Sequence, residues 1–168
     1  DLPFYIVRLA NWRAGNPEPA DSLWADLREA QREIANKVPH TGLAVAIDIG
    51  NEKNIHPANK QEVGRRLALI AEAQTYGKPV EYSGPAFEMA RFEGGQVRVR
   101  FRPGTAAGLH SEGNAPVKAF AIAGEDRKFY WAEAQIVPGS EGDASLVLTS
   151  PQVAKPIAVR YAWANNPG

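Results

Sequence analysis

The polar stretch Asp48-Ile49-Gly50-Asn51-Glu52-Lys53-Asn54-Ile55-His56-Pro57 holds the residues best suited to chemistry. An apolar run, residues 43–49, leads into it, and an amphipathic segment leaves it at Pro57. Pro57 at a first helical position makes His56 the N-cap residue, a place that points a side chain over the end of a sheet. Imidazole can take a proton from a serine hydroxyl and return it to a leaving group near neutral pH. As a bare cap, histidine is a poor choice beside Ser, Asp or Asn. Asp48 stands at the strand end, where it either orients the imidazole or hydrogen-bonds the amides of its own loop. Asn51 and Asn54 read as turn residues.

No serine of this sequence suits the nucleophile's place. Ser22, Ser83, Ser111, Ser140, Ser145 and Ser150 all lie outside any Gly-x-Ser-x-Gly turn. Gly142-Asp143-Ala144-Ser145 resembles a nucleophile loop, but it falls in a turn between predicted strands with no helix after it. Ser83 follows the second predicted helix too closely to stand at a strand end. The site is therefore expected to be completed by a serine from elsewhere.

The elements that position His56 are read from periodicity. Residues 4–10 form an apolar run of strand length, with Asn11-Trp12 at its end as candidate substrate contacts; an interior Trp is the competing reading. Gly15, Pro17 and Pro19 mark a loop. Asp21 or Ser22 caps a helix whose Leu23, Leu27, Ala30 and Ile34 share one face. Asn36 and Pro39 end it. Residues 43–49 show no polar alternation, which predicts a strand covered on both faces in a parallel α/β layer. Val63, Leu67, Ile70 and Gln74 line the next helix, and Gly77 supplies a left-handed stop. Ligands of such sheets bind beyond the carboxyl ends of the strands, where both Asn11-Trp12 and the His56 loop fall. Two parallel strands are too few for a stable layer, so further strands are expected from sequence upstream or from a companion chain.

After residue 79 helical periodicity disappears. Phe87 to Phe92 and Val97 to Phe101 flank Glu93-Gly94-Gly95-Gln96, a hairpin signal. Val97, Val99 and Phe101 alternate with Arg98, Arg100 and Arg102, a half-buried strand with a solvated basic face. Val117 to Ala123, Phe129 to Val137, Ser145 to Thr149 and Ile157 to Trp163 are further strands, with a Gly-rich turn at 138–143. The pattern predicts a β-sandwich with Trp131 and Trp163 in its core. The expected division is 1–79 and 80–168.

Bulk composition removes several function classes. Lys+Arg and Asp+Glu are both 19, so net charge favours neither nucleic acid nor an anionic membrane. No apolar run approaches the ~20 residues of a membrane span. Cysteine is absent, which excludes disulfides, thiol catalysis and cysteine–zinc sites. His40, His56 and His110 are far apart and make no metal motif. No metal or cofactor is expected.

Two blocks carry a family resemblance. Thr41-Gly42-Leu43-Ala44-Val45-Ala46-Ile47-Asp48-Ile49-Gly50, followed by Asn54-Ile55-His56-Pro57-x-Asn59-Lys60-Gln61-Glu62-Val63-Gly64-Arg65-Arg66-Leu67, resembles the C-terminal part of sialate O-acetylesterase family proteins. Phe4-Tyr5, Leu9-Ala10-Asn11, Leu27-Arg28-Glu29-Ala30-Gln31, Tyr82-Ser83-Gly84-Pro85, Phe120 to Gly124 and Ala158 to Ala164 agree in the same order. The resemblance implies an α/β fold: the C-terminal part of an SGNH-type three-layer α/β/α domain, then a β-sandwich-like accessory domain. It implies a serine esterase acting on O-acetyl groups of carbohydrates, whether acetylated sialic acid or acetylated plant polysaccharide, and a periplasmic or secreted location. His56 matches the family's catalytic histidine. The serine and oxyanion-hole blocks of the family lie upstream of such a segment, so an N-terminal segment or companion chain is the expected partner. The wider SGNH group usually carries Asp-x-x-His, whereas Lys53 stands in the acid's place here. Glu52, Asn51, Asn54, Asp48 and a backbone carbonyl remain as orienting groups. A reading from another class is a non-catalytic carbohydrate-binding module using Trp131, Trp163 or Tyr130, for which an exposed row of aromatics would speak.

Overall fold

The computed structural model describes residues 2–111, 113, 115–139 and 143–167. They divide into two compact units. One comprises Asp1–Asn16, Asp21–Ser83 and Ala164–Gly168, the other Pro17–Ala20 and Gly84–Trp163.

In the first unit β1 (Phe4–Val7) and β2 (Thr41–Ala44) are parallel, in register from Phe4 opposite Thr41 to Val7 opposite Ala44. Between them runs α1 (Leu23–Lys37), capped by Ser22, whose hydroxyl accepts the Ala25 amide at 3.1 Å. After β2 comes α2 (Lys60–Ile70), which widens into a π-helical turn at Ala71–Thr75 and stops at Gly77, φ 65°. β2 is buried along three of its four residues. Ile70 packs on it at Gly42, where an added Cβ would lie 2.4 Å from the Ile70 side chain.

Both strands are shorter than their apolar runs. Beyond Arg8, whose amide bonds the Ala44 carbonyl at 2.8 Å, the chain turns its backbone groups to helix side chains. The Leu9 amide donates to Gln31 Oε1 at 3.0 Å, and the Ala10 carbonyl accepts Trp24 Nε1 at 2.8 Å. These contacts also reverse the expected face of α1. Leu23, Leu27 and Ile34 are 87%, 50% and 48% exposed, while Ala25 and Arg28 are buried. The face bearing Trp24, Arg28 and Gln31 is the one that satisfies the loop after β1 and, through Arg28, the Ala164 carbonyl. Loss of solvation at Arg28, with Arg8 nearby, lowers its pKa to about 10.

The second unit holds two antiparallel sheets. Their strands are β3 (Phe87–Glu93), β4 (Gln96–Phe101), β5 (Phe120–Ala123), β6 (Phe129–Trp131), β7 (Glu133–Pro138), β8 (Ala144–Thr149) and β9 (Ala158–Tyr161). The orders are β3-β4-β8-β7 and β6-β5-β9. Glu93 pairs with Gln96 across Gly94 and Gly95, both at positive φ (58° and 81°), the geometry a two-residue hairpin loop demands. Val97, Val99, Leu146 and Leu148 from one sheet share a core with Phe120 and Ile122 from the other. Arg98 and Arg100 alternate outward from that core, as the sequence pattern requires.

The single strand expected over 129–137 is broken at Ala132. Its first part pairs with β5 and its second with β8, while the Ala132 amide bonds the Phe120 carbonyl at 2.9 Å. The same register corrects the place of Trp131. Tyr130 pairs with the core residue Ile122, so Trp131 falls on the opposite face. It is 37% exposed and donates Nε1 to the Pro17 carbonyl at 2.8 Å. Trp163 is half-buried, with the Arg160 guanidinium 4.8 Å from its ring. In the Gly-rich turn the Gly139 amide bonds the Asp143 carbonyl at 2.6 Å. Ser140 and Gly142 of the serine survey lie outside the described residues. No helix among the described residues is long and apolar enough to cross a membrane.

Leu148 is fully buried in the shared core. Leu148→Ala is expected to lower unfolding free energy by about 2–5 kcal/mol, read from the urea midpoint at constant m-value.

Candidate active site

The chain leaves β2 without a regular partner. The Val45 carbonyl accepts Arg66 Nη1 at 2.6 Å, and the Ile49 amide closes a turn on Ala46 at 3.3 Å. This is why the strand stops well before Ile49. Gly50 then meets the loop after β1: a Cβ there would stand 2.0 Å from Asn11 Oδ1 and 2.3 Å from the Asn11 carbonyl. Only glycine allows so close an approach. The Arg13 amide donates to the Glu52 carbonyl at 2.9 Å. The two strand-end loops, one carrying Asn11 and Trp12 and the other leading to His56, are thereby joined.

Asn11 donates Nδ2 to Asn166 Oδ1 at 2.9 Å, and its own Oδ1 is buried with no hydrogen bond among the described residues. Trp12 is half-buried, its ring 5.3 Å from that of Trp24 and 4.3 Å from the Arg13 guanidinium. Its amide bonds the Asn165 carbonyl at 3.0 Å.

His56 is exposed. Its amide donates to Asn54 Oδ1 at 2.9 Å, and the Lys53 amide donates to Asn51 Oδ1 at 2.8 Å. Both asparagines thus serve the turn, which is their usual work. The imidazole makes no hydrogen bond among the described residues. His56 is not the N-cap of α2. That place belongs to Asn59, whose Oδ1 accepts the Glu62 amide at 3.0 Å. The cap chemistry of asparagine outweighs the signal from Pro57, and Asn59-x-x-Glu62 is the pattern that announces it.

Asp48 is held by Arg66. Its Oδ1 and Oδ2 accept Nη1 and Nη2, each at 2.6 Å. Arg66 Nε also donates to Glu62 Oε1 at 2.8 Å, and Arg65 binds the same carboxylate. Both Asp48 oxygens go to Arg66, and no hydrogen bond joins Asp48 to His56 among the described residues. The Arg66 guanidinium holds the Asp48 carboxyl below the usual carboxylate range. Hydrogen bonds from Arg65 and Arg66 bring Glu62 down to about 2, and Arg66 is pushed up in turn by Asp48. Arg66 is the residue that sequence reading missed. Its signal is the four-residue spacing from Glu62 on a helix face, which says nothing of Asp48 across the loop.

Ser22 Oγ donates to Asn165 Oδ1 at 2.8 Å while capping α1, and Ser150 Oγ donates to Gln152. His40 and His110 are exposed loop residues; the His40 carbonyl accepts the Phe4 amide at the start of β1, and the His110 ring lies 2.8 Å from the Gly108 carbonyl. No group of three or more His, Asp or Glu side chains suited to a metal ion occurs among the described residues.

No protein-family model matches the chain. It is 28% identical over 175 aligned residues to the sialate O-acetylesterase of Mus musculus, covering 99% of this chain and 32% of that protein. It is 30% identical over 137 residues to the sialate O-acetylesterase of Pongo abelii, covering 78% and 25%. Among solved structures it is similar to a carbohydrate acetylesterase from Xanthomonas citri, with 45% identity, a TM-score of 0.86, and coverage of 98% of this chain and 37% of that one. The mixed α/β chain with its antiparallel sheets is thus close to part of a carbohydrate acetylesterase fold. It spans 32% and 25% of the curated relatives it matches.

The depressed Glu62 carboxyl sets a pH window. A folded pKa of about 2 against an ordinary 4.5 stabilises the fold above 4.5, and this is lost as pH falls toward 2. Glu62→Gln is therefore expected to lower the melting temperature at neutral pH, with the gap from the parent closing across that window. A gap constant with pH in thermal melts contradicts this.

Proposed function

We propose that this chain is the histidine-bearing part of a carbohydrate O-acetylesterase, a serine hydrolase whose nucleophile comes from a segment beyond these 168 residues or from a companion chain. The observation that carries the reading is the exposed His56, whose ring makes no hydrogen bond among the described residues and whose backbone is fixed by Asn54. It lies on a loop joined to the carboxyl-end loop of the neighbouring parallel strand. The 45% identity with a carbohydrate acetylesterase supports the substrate class.

In this reading the serine oxygen attacks the acetyl carbonyl while His56 accepts the hydroxyl proton. The tetrahedral intermediate expels the sugar oxygen, which takes that proton back from His56. Water then attacks the acyl-enzyme with His56 as base again, releasing acetate and restoring the serine. Oxyanion donors come with the missing segment. Asn11 and Trp12 border the acetyl-bearing sugar. Asp48 belongs to the Arg66 clamp rather than to the imidazole. The bonds of Ser22 in capping α1 support an external nucleophile. The exposed apolar face of α1 supports a larger esterase domain around residues 1–79, with 80–168 as its β-rich accessory domain. Acetylated sialic acid and acetylated plant polysaccharide are separated by measuring acetate release from a panel of acetylated glycans.

The sugar-platform reading is weaker. Of the platform candidates, Trp131 is exposed while Tyr130 and Trp163 are half-buried, so the three make no exposed row.

His56→Ala in the full-length or reassembled protein is expected to lower turnover of an aryl acetate by at least about a hundred-fold, with folding unchanged by circular dichroism. Activity within a few-fold of the parent sinks the assignment.

A further inference from the structure

We propose that Arg66 is a positioning residue for His56, acting by clamping the strand-side end of the loop that carries it onto α2. The proposal rests on His56 being the general base. Residues 45–59 connect β2 to α2 with little regular structure beyond a single bridge between Asn51 and Asn54. A connection of that length samples many conformations unless its ends are pinned. Arg66 pins the strand-side end onto α2. One guanidinium holds the Val45 carbonyl and both oxygens of Asp48 on the strand side, each at 2.6 Å. The guanidinium is itself steadied by Glu62, one turn back on α2, at 2.8 Å. His56 sits between this clamp and the start of α2. Its ring has no hydrogen-bonding partner of its own among the described residues, so its place is inherited from the backbone.

The chemistry of the clamp is specific to arginine. A planar fork reads a carboxylate with two parallel bonds and still offers Nε to a second acceptor. An ammonium group keeps the charge but cannot span Asp48, Val45 and Glu62 together. The Arg66 side chain is only 22% exposed, while that of Asp48 is 55% exposed. The pair is therefore partly shielded from water but is not a buried core element. Loosening it is expected to displace the imidazole by a fraction of an ångström to an ångström rather than unfold the unit. A displacement on the order of 1 Å costs up to about a hundred-fold in rate.

The test compares Arg66→Lys, Asp48→Asn, the double variant and His56→Ala in the full-length protein, with an aryl acetate as substrate. Each clamp single is expected to lower kcat by about ten- to a hundred-fold while KM stays within about two-fold. Circular dichroism should remain that of the parent, with the melting temperature lowered by no more than about 5 °C. The double variant is expected to be no slower than the slower single, because both changes break one contact. A purely structural role would instead lower the folded fraction and leave kcat per folded molecule unchanged. Parent-like kcat in both clamp singles, with His56→Ala inactive, overturns the clamp and leaves the base assignment standing. Activity retained in His56→Ala overturns the base assignment and the clamp with it. If Arg66→Lys fails to fold, Asp48→Asn alone decides the question by the same kcat criterion.

Discussion

Two adjacent parallel strands stop sharing hydrogen bonds at Arg8 and Ala44, and every backbone group beyond that point needs another partner or water. The first unit answers with helix side chains. Gln31 and Trp24 of α1 take the amide of Leu9 and the carbonyl of Ala10. Arg66 of α2 takes the carbonyl of Val45. Each bond bends the chain out of the sheet and so builds a loop at the strand's carboxyl end. The place where chemistry is proposed is thus the by-product of ending the strands. The helices that cover the sheet also determine where its strands give way to loops.

That dependence explains the course of the loops better than hydrophobicity does. Gly50 is pressed against Asn11, and the Arg13 amide reaches Glu52. The loops after β1 and β2 therefore form one body rather than two independent excursions. A charge pair alone would not do this. Asp48, Glu62 and Arg66 are partly open to water, and such pairs contribute little to stability singly. Their value lies in geometry, because a forked donor fixes directions as well as distances.

Much of this was legible in the residues. Parallel pairing of two apolar runs, the Ser22 cap, the Gly77 stop, the Gly94-Gly95 turn and the alternation of Val97 and Val99 with Arg98 and Arg100 all follow from local stereochemistry. The misses share one cause. Apolar periodicity marked Leu23, Leu27 and Ile34 as the packing face of α1, yet the packed face is the one whose Trp24, Arg28 and Gln31 satisfy distant backbone groups. Strand ends after Val7 and Ala44, and the break at Ala132, are likewise decided by partners remote in sequence. Pro57 drew the helix start too early because the competing signal at Asn59 acts through its side chain. At the candidate site His56 and its turn asparagines were visible. Arg66 was not, because the bidentate contact with Asp48 closes over 18 residues.

The last described stretch has a consequence for biosynthesis. Ala164, Asn165 and Asn166 return to the first unit, where they bond Arg28, Ser22, Trp12 and Asn11. On a ribosome the first unit therefore cannot close its hydrogen bonds when Ser83 emerges. It must wait with its loops unsealed until all the strands of the second unit have been translated. The unit made first thus keeps contacts that only the last-made residues can supply.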